Sequence, residues 1–103
     1  MTTHDHLVTI GGITFDRVRY DADADADADA DVLYLHVGDP ATAVAFDETP
    51  EGHHIRLDAT GRVVGLTMVG VGSDLRAGRP VTVTLPERVE VDPAELRALV
   101  SAA

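Results

Sequence analysis

An α+β domain is the fold class this sequence predicts: an antiparallel sheet of five to seven strands, built as a meander of hairpins, with one C-terminal helix packed on it. Three observations carry the prediction. Apolar residues alternate with polar ones from Leu7 almost to Leu85, the period of a half-buried strand. Glycine, proline and aspartate punctuate that alternation at short intervals, as turns between hairpin strands require. Only the last dozen residues change to a helical period.

In chain order, Leu7–Ile10 reads as a short first strand, ended by Gly11-Gly12. Ile13–Tyr20 is a second strand whose apolar phase shifts: Ile13 and Phe15 share one face, Val18 and Tyr20 the other. The shift predicts a bulge or twist near Asp16-Arg17. Asp31–Val37 places Leu33, Leu35 and Val37 on one face and Val32, Tyr34 and His36 on the other. Ala43–Asp47 aligns Val44 with Phe46, and His53–Asp58 aligns His53, Ile55 and Leu57. A tight turn at Ala59-Thr60-Gly61 leads into Arg62–Val71, the most apolar strand. Its apolar side chains fall on both faces, which predicts a central strand covered twice, with a second subunit as one candidate cover. Gly70-Val71-Gly72-Ser73-Asp74 reads as the chain's exit from the sheet, and Val81–Leu85 as a last strand. Asp92 is the expected N-cap of the helix, with Pro93 at its first position and Glu95 three residues after the cap. Leu96, Leu99 and Val100 supply its apolar stripe.

Composition limits the chemistry. The chain has 103 residues and a formal net charge of −10, enough for one domain. Residues 1–6 are expected to be a disordered start and 7–103 a single domain. There is no cysteine and no lysine; all eight positive charges are arginines. Disulfides, thiolate metal sites, thiol catalysis, Walker-type phosphate loops and Schiff bases are therefore excluded. Neither serine, Ser73 or Ser101, stands in a nucleophile-elbow pattern. The acidic balance argues against nucleic acid. No stretch is long enough for a membrane span, and no basic-then-apolar leader opens the sequence. A cytoplasmic location is the expectation.

The acids are concentrated. Residues 1–52 hold 12 acids and 2 arginines, and residues 53–103 hold 6 of each. Six acids lie in Asp21–Asp31, an unbroken Asp-Ala alternation. A calcium loop needs glycine at its sixth place and a bidentate acid at its twelfth. The run has no glycine, and the twelfth places counted from its first four aspartates are Val32, Tyr34, His36 and Gly38. Strand-Asp-x-Asp at Val18–Asp23 looks superficially like a phosphoryl-transfer nucleophile, but the lysine that such chemistry needs is absent. In an extended chain successive aspartates lie roughly 6.7 Å apart on one face. Each neighbouring pair then repels by about 0.6 kcal/mol in water, tolerable only where solvent reaches every carboxylate. Residues 21–31 are accordingly expected to form a solvated acidic hairpin loop. Tyr20 and Tyr34, flanking it, are expected to meet across the paired strands.

Two separated pieces carry a family resemblance. Tyr20-Asp21 … Asp31-Val32-Leu33-Tyr34-Leu35, followed by Leu57-Asp58-Ala59-Thr60-Gly61-Arg62-Val63-Val64-Gly65-Leu66, resembles the bacterial family called domain of unknown function 2283. It covers roughly Val18 to Ser73. The family's linker between the two aspartates is three residues, against nine here, Ala22–Ala30. The extra six equal three Asp-Ala units, as repeat slippage in the coding DNA would produce. Thr67 stands where the family has an acid. The resemblance implies a small antiparallel domain with a helix. It supplies no activity, but it brings the suggestion of an antitoxin-like or accessory role toward a small basic protein.

The expected function is therefore non-enzymatic: a small acidic binding or accessory domain, homo-oligomeric through strand 62–71, with no cofactor and no catalytic residue. The alternative is a carboxylate-based divalent-metal or enzyme-like domain using Asp21, Asp31 and Asp58. Among the five histidines, His53 and His54 are adjacent on a strand and point to opposite faces, so they do not share a metal.

Overall fold

The computed structural model describes residues 7–25, 30–85 and 87–102. The expected disordered start at residues 1–6 lies outside them. The described chain is mostly antiparallel sheet with two helices. A hairpin of β1 (Val8–Ile10) and β2 (Ile13–Phe15) comes first. A five-stranded sheet follows, built from β3 (Arg17–Asp25), β4 (Ala30–His36), β5 (Ala45–Glu48), β6 (His54–Leu57) and β7 (Val63–Val69). Its spatial order is β3-β4-β7-β6-β5. A 3-10 turn, Pro40–Thr42, bridges β4 and β5. Then come α1 (Val71–Ala77), a ribbon of β8 (Val81–Thr84) and β9 (Arg88–Val91), and α2 (Pro93–Ala102). None of the described helices is long and apolar enough to cross a membrane.

The phase shift at Asp16-Arg17 is a change of sheet rather than a bulge within one strand. β2 pairs with β1, and β3 pairs with β4. β7 is the central strand, as its two-faced apolar pattern required. Its inner residues Val64, Leu66 and Met68 are buried, and the chain itself covers that face. Leu33, Leu35, Leu66 and Met68 share one cluster with Phe15 of the first hairpin, Val71 of α1, Val83 of the ribbon, and Leu96 and Leu99 of α2. On the opposite face Val69 is exposed, so this cluster covers only one of the two faces of β7. β4 and β6 flank β7, so both its backbone edges are occupied.

The C-terminal helix starts as its sequence dictates. The Asp92 carboxylate accepts from the Glu95 N–H at 2.9 Å, a cap worth roughly 1 kcal/mol. Leu96 and Leu99 turn into the core.

Three expectations need correction. The chain does not simply leave the sheet at Gly70. It enters α1, closed at its C-terminus by Gly78 with φ of 68°, the left-handed conformation that glycine adopts without strain. Tyr20 and Tyr34 do not meet. Tyr20 lies opposite Leu33 and Tyr34 opposite Arg19, so one tyrosine faces the core and the other faces outward. Residues 21–31 are not all loop. Asp21–Asp25 extends β3, Ala30-Asp31 begins β4, and Asp25 pairs with Ala30. Residues 26–29 lie outside the described chain.

Antiparallel pairing continues on both sides of the extension, so its length is adjustable. Deleting Asp23–Ala28, three Asp-Ala units, should shift Tm by less than about 5 °C, since loop closure depends weakly on length. A larger loss on thermal melting would give the repeat a structural role.

Candidate functional site

The inner face of the sheet is core; the outer face carries the chemistry. Alternation along each strand and the pairing registers define two rows across it. Arg17 lies opposite His36, His36 opposite Gly65, Gly65 opposite Arg56, and Arg56 opposite Phe46. The adjacent row runs Arg19, Tyr34, Thr67, His54 and Glu48. Three arginines therefore gather on one face of a chain that carries −10 overall.

None of the three has a salt bridge among the described residues, where the one ion pair is Arg79 with Asp74. Two of them rest on aromatic rings instead. The Arg19 guanidinium lies 4.5 Å from the centre of the Tyr34 ring, and that of Arg56 lies 5.4 Å from the Phe46 ring. Such stacking holds the guanidinium plane and leaves its N–H edge free for a planar anion.

A groove of about 330 Å³ opens on this face, lined by Arg17, Val18, Arg19, Tyr34, His36, Pro40 and Arg56. The volume is at the lower end of small-molecule sites. The charged side chains lining it are all arginines, although the chain holds 18 acids and 8 arginines.

Gly65 makes room for two of its side chains, His36 and Arg56. Seven of the nine glycines have positive φ; Gly65 does not, so backbone geometry does not require glycine there. Space does. A Cβ at Gly65 would stand 3.0 Å from His36 Cε1 and 3.1 Å from Arg56 Cβ, tight against both side chains. His36 is half-buried, and its Nδ1 is buried without a hydrogen-bond partner among the described residues, an uncommon state for a polar atom. Burial first, then the charges of Arg56 and Arg17, hold its pKa below the ordinary histidine value, against the Val64 carbonyl, which raises it. Burial and the two arginines thus favour the neutral imidazole.

The three aspartates of the metal alternative are not brought together. Asp21 shares the outer-face parity of Arg17 and Arg19, whereas Asp31 shares the inner-face parity of Leu33 and Leu35. Asp58 sits before β7 and Asp31 beside Gly70 after it, as their backbone bonds place them. The seven-residue strand between them spans roughly 20 Å. Each of the two has its own work. The Asp58 Oδ1 accepts from Thr60 N–H at 2.8 Å, Thr60 O–H at 2.6 Å and Arg62 N–H at 3.1 Å, closing the turn into β7. Asp31 is buried and accepts from the Tyr20 hydroxyl and the Gly72 N–H, each at 2.7 Å. Among the described residues no three His, Cys, Asp or Glu side chains are grouped to hold a metal ion.

His53 and His54 do point to opposite faces. His53 is buried, and its Nδ1 accepts from the Val69 N–H at 3.3 Å, which requires a neutral ring. Burial holds its pKa below the ordinary value despite the opposing charge of Glu51. The unfolded chain, titrating near about 6.5, takes up the proton first. The stability that neutral His53 and His36 contribute is thus complete above that pH and is lost as pH falls toward their folded values. Tm should fall between pH 7 and 5. His53→Asn, which keeps an acceptor near Nδ1, should flatten that dependence; an unchanged slope in thermal melts would remove His53 as its source.

Arg17, Arg19, Arg56 and Gly65 were not singled out by sequence reasoning as site residues. Arg17-Val18-Arg19 in an acidic chain was an available signal, since alternate strand positions share a face. Arg56 joins them only through the β4-β7-β6 register.

The fold and this face together define a small α+β domain with a cationic, aromatic sheet surface. No family model, curated protein or solved structure matches the chain.

Proposed function

We infer that the protein is a non-enzymatic binding or accessory domain, and that its working surface is the outer face of the five-stranded sheet. One observation carries this reading. Arg17, Arg19 and Arg56 stand together on that face without an acidic partner among the described residues, in a chain with more than twice as many acids as bases. Like charges gathered without compensation oppose folding, so their clustering is better explained by a ligand than by stability. Exposed arginine and aromatic side chains are also the types that dominate recognition surfaces.

The acidic hairpin supports a second reading, an antitoxin-like grip on a small basic protein, because the Asp21–Asp31 run concentrates charge of the opposite sign. One experiment separates the two. The tagged chain, the triple variant Arg17→Gln/Arg19→Gln/Arg56→Gln and the Asp23–Ala28 deletion are purified from the same cells at low salt. Loss of a co-purifying component from the triple variant alone supports the outer face. Loss from the deletion alone supports the acidic hairpin and overturns the first reading. A Tm drop above roughly 10 °C in the triple variant, worth more than 1 kcal/mol, would make the arginines structural and sink it as well.

A further inference from the structure

We propose that the outer-face groove binds a small organic anion: a carboxylate or phosphate group carried on a flat, partly apolar body. The inference rests on the outer face being the working surface, and it adds what occupies it.

The chemistry follows from the groove's lining. Arg17 and Arg56 flank His36 in one row across β3, β4, β7 and β6, whose β7 member, Gly65, leaves space for the His36 and Arg56 side chains. Both guanidinium charges are near enough to depress the imidazole. Two permanently charged forks and the imidazole thus line one groove. A carboxylate or phosphate matches such forks, because each planar guanidinium offers paired N–H donors. Tyr34, under Arg19, and Pro40 on the 3-10 turn supply flat apolar walls, which fit a ring or other planar body. About 330 Å³ admits a compact molecule and excludes a folded segment. A long polyanion is disfavoured, since every phosphate beyond the groove would meet the field of a chain carrying −10.

The anion should also bring a proton. Facing His36 are Arg17 from β3, Arg56 from β6 and the uncharged Gly65 from β7; Arg19 is one row away. The nearby carboxylates of Asp16 and Asp39 are engaged by the Gly38 and Ala41 N–H groups. An anion seated between the arginines offsets their charge and favours the imidazolium, so that His36 takes up a proton. Binding therefore tightens as pH falls from 8 to 6.

The probes are phenyl phosphate, benzoate, inorganic phosphate and benzyl alcohol, titrated into the full chain at constant ionic strength and followed by two-dimensional 1H–15N NMR. Phenyl phosphate and benzoate should give saturable shifts at residues 17, 34, 36 and 56, with Kd on the order of 1 mM or tighter for molecules of this size. Inorganic phosphate should bind roughly tenfold more weakly for lack of a ring, and benzyl alcohol should not saturate for lack of a charge. Arg17→Gln and Arg56→Gln should each weaken phenyl phosphate about tenfold, the effect of losing one charged hydrogen-bond donor. His36→Phe should abolish the pH dependence while leaving residual binding. The inference is overturned if neither aromatic anion saturates by about 10 mM, well above that range, or if the arginine variants bind unchanged. Equal affinity for inorganic phosphate would overturn the flat body. Should all probes fail while the triple arginine variant still loses a co-purifying component, the outer face remains the working surface and its ligand is not a small anion.

Discussion

Replacing Asp31 with alanine should cost about 3 kcal/mol, near the upper end for a single buried hydrogen-bonding group, and lower Tm by roughly 12–24 °C. Its carboxylate joins two parts of the fold that are distant in sequence. One oxygen, Oδ2, accepts from the Tyr20 hydroxyl on β3 and from the Gly72 N–H in the first turn of α1. The Asp31 carbonyl accepts from the Gly70 N–H. Gly70, at the N-cap position of α1, has no side chain with which to cap it. Asp31 therefore does so from the neighbouring strand β4, with its negative charge at the positive end of the short helix. Alanine would remove the acceptor of the buried Gly72 N–H bond and of the part-buried Tyr20 hydroxyl bond. Tyr20→Phe removes one donor and should cost only about 1 kcal/mol. In the Asp31→Ala background it should cost less, because the bond is already gone. Urea unfolding of the two single variants and the double variant measures this coupling. A loss below about 0.5 kcal/mol for Asp31→Ala, the range of ordinary surface changes, would rule out the capping role.

The same residue explains where the sequence was legible and where it was not. Alternation is a local signal, and it located the break at Asp16-Arg17, the faces of β4 and the central place of β7. The Asp92 cap is local too, its acceptor and donor being three residues apart. Asp31 and Gly72 are 41 residues apart, and no periodicity links them. Read locally, Asp31 closes an acidic repeat; in the fold its parity puts it on the core face with Leu33 and Leu35. α1 was hidden by the same contact. A glycine inside a helix costs about 1 kcal/mol relative to alanine, so Gly70-Val71-Gly72 reads as a turn. Gly72 is needed because a Cβ there would lie 2.9 Å from Asp31 Oδ2. The outer face was half legible. His36 and Tyr34 were assigned to one face from their own strand. That Arg17, Gly65 and Arg56 lie in the same row depends on which strands are neighbours, and the order β3-β4-β7-β6-β5 is not the order of the chain.

Leu96→Ala should be the other severe change, and it tests the division of labour between the two faces. Leu96 is fully buried in the cluster beneath α2, and removing its side chain should cost about 3 kcal/mol through lost burial and the cavity left behind. α2 lies against α1 and β3, so the loss should appear as a lower midpoint of the whole cooperative transition. The outer face lies on the opposite side of the sheet. Measured well below the lowered Tm, Leu96→Ala should bind phenyl phosphate as the unaltered chain does. Arg56→Gln should show the reverse: weakened binding with a Tm changed by no more than a few degrees, since a half-buried arginine without an ion pair among the described residues contributes little to stability. If Leu96→Ala lost affinity in proportion to stability, the groove would be an extension of the core rather than a separate surface. If Arg56→Gln unfolded the chain, its stacking on Phe46 would be structural. Only the crossed outcome, stability without affinity in one variant and affinity without stability in the other, is consistent with a sheet whose inner face folds the protein and whose outer face is reserved for a ligand.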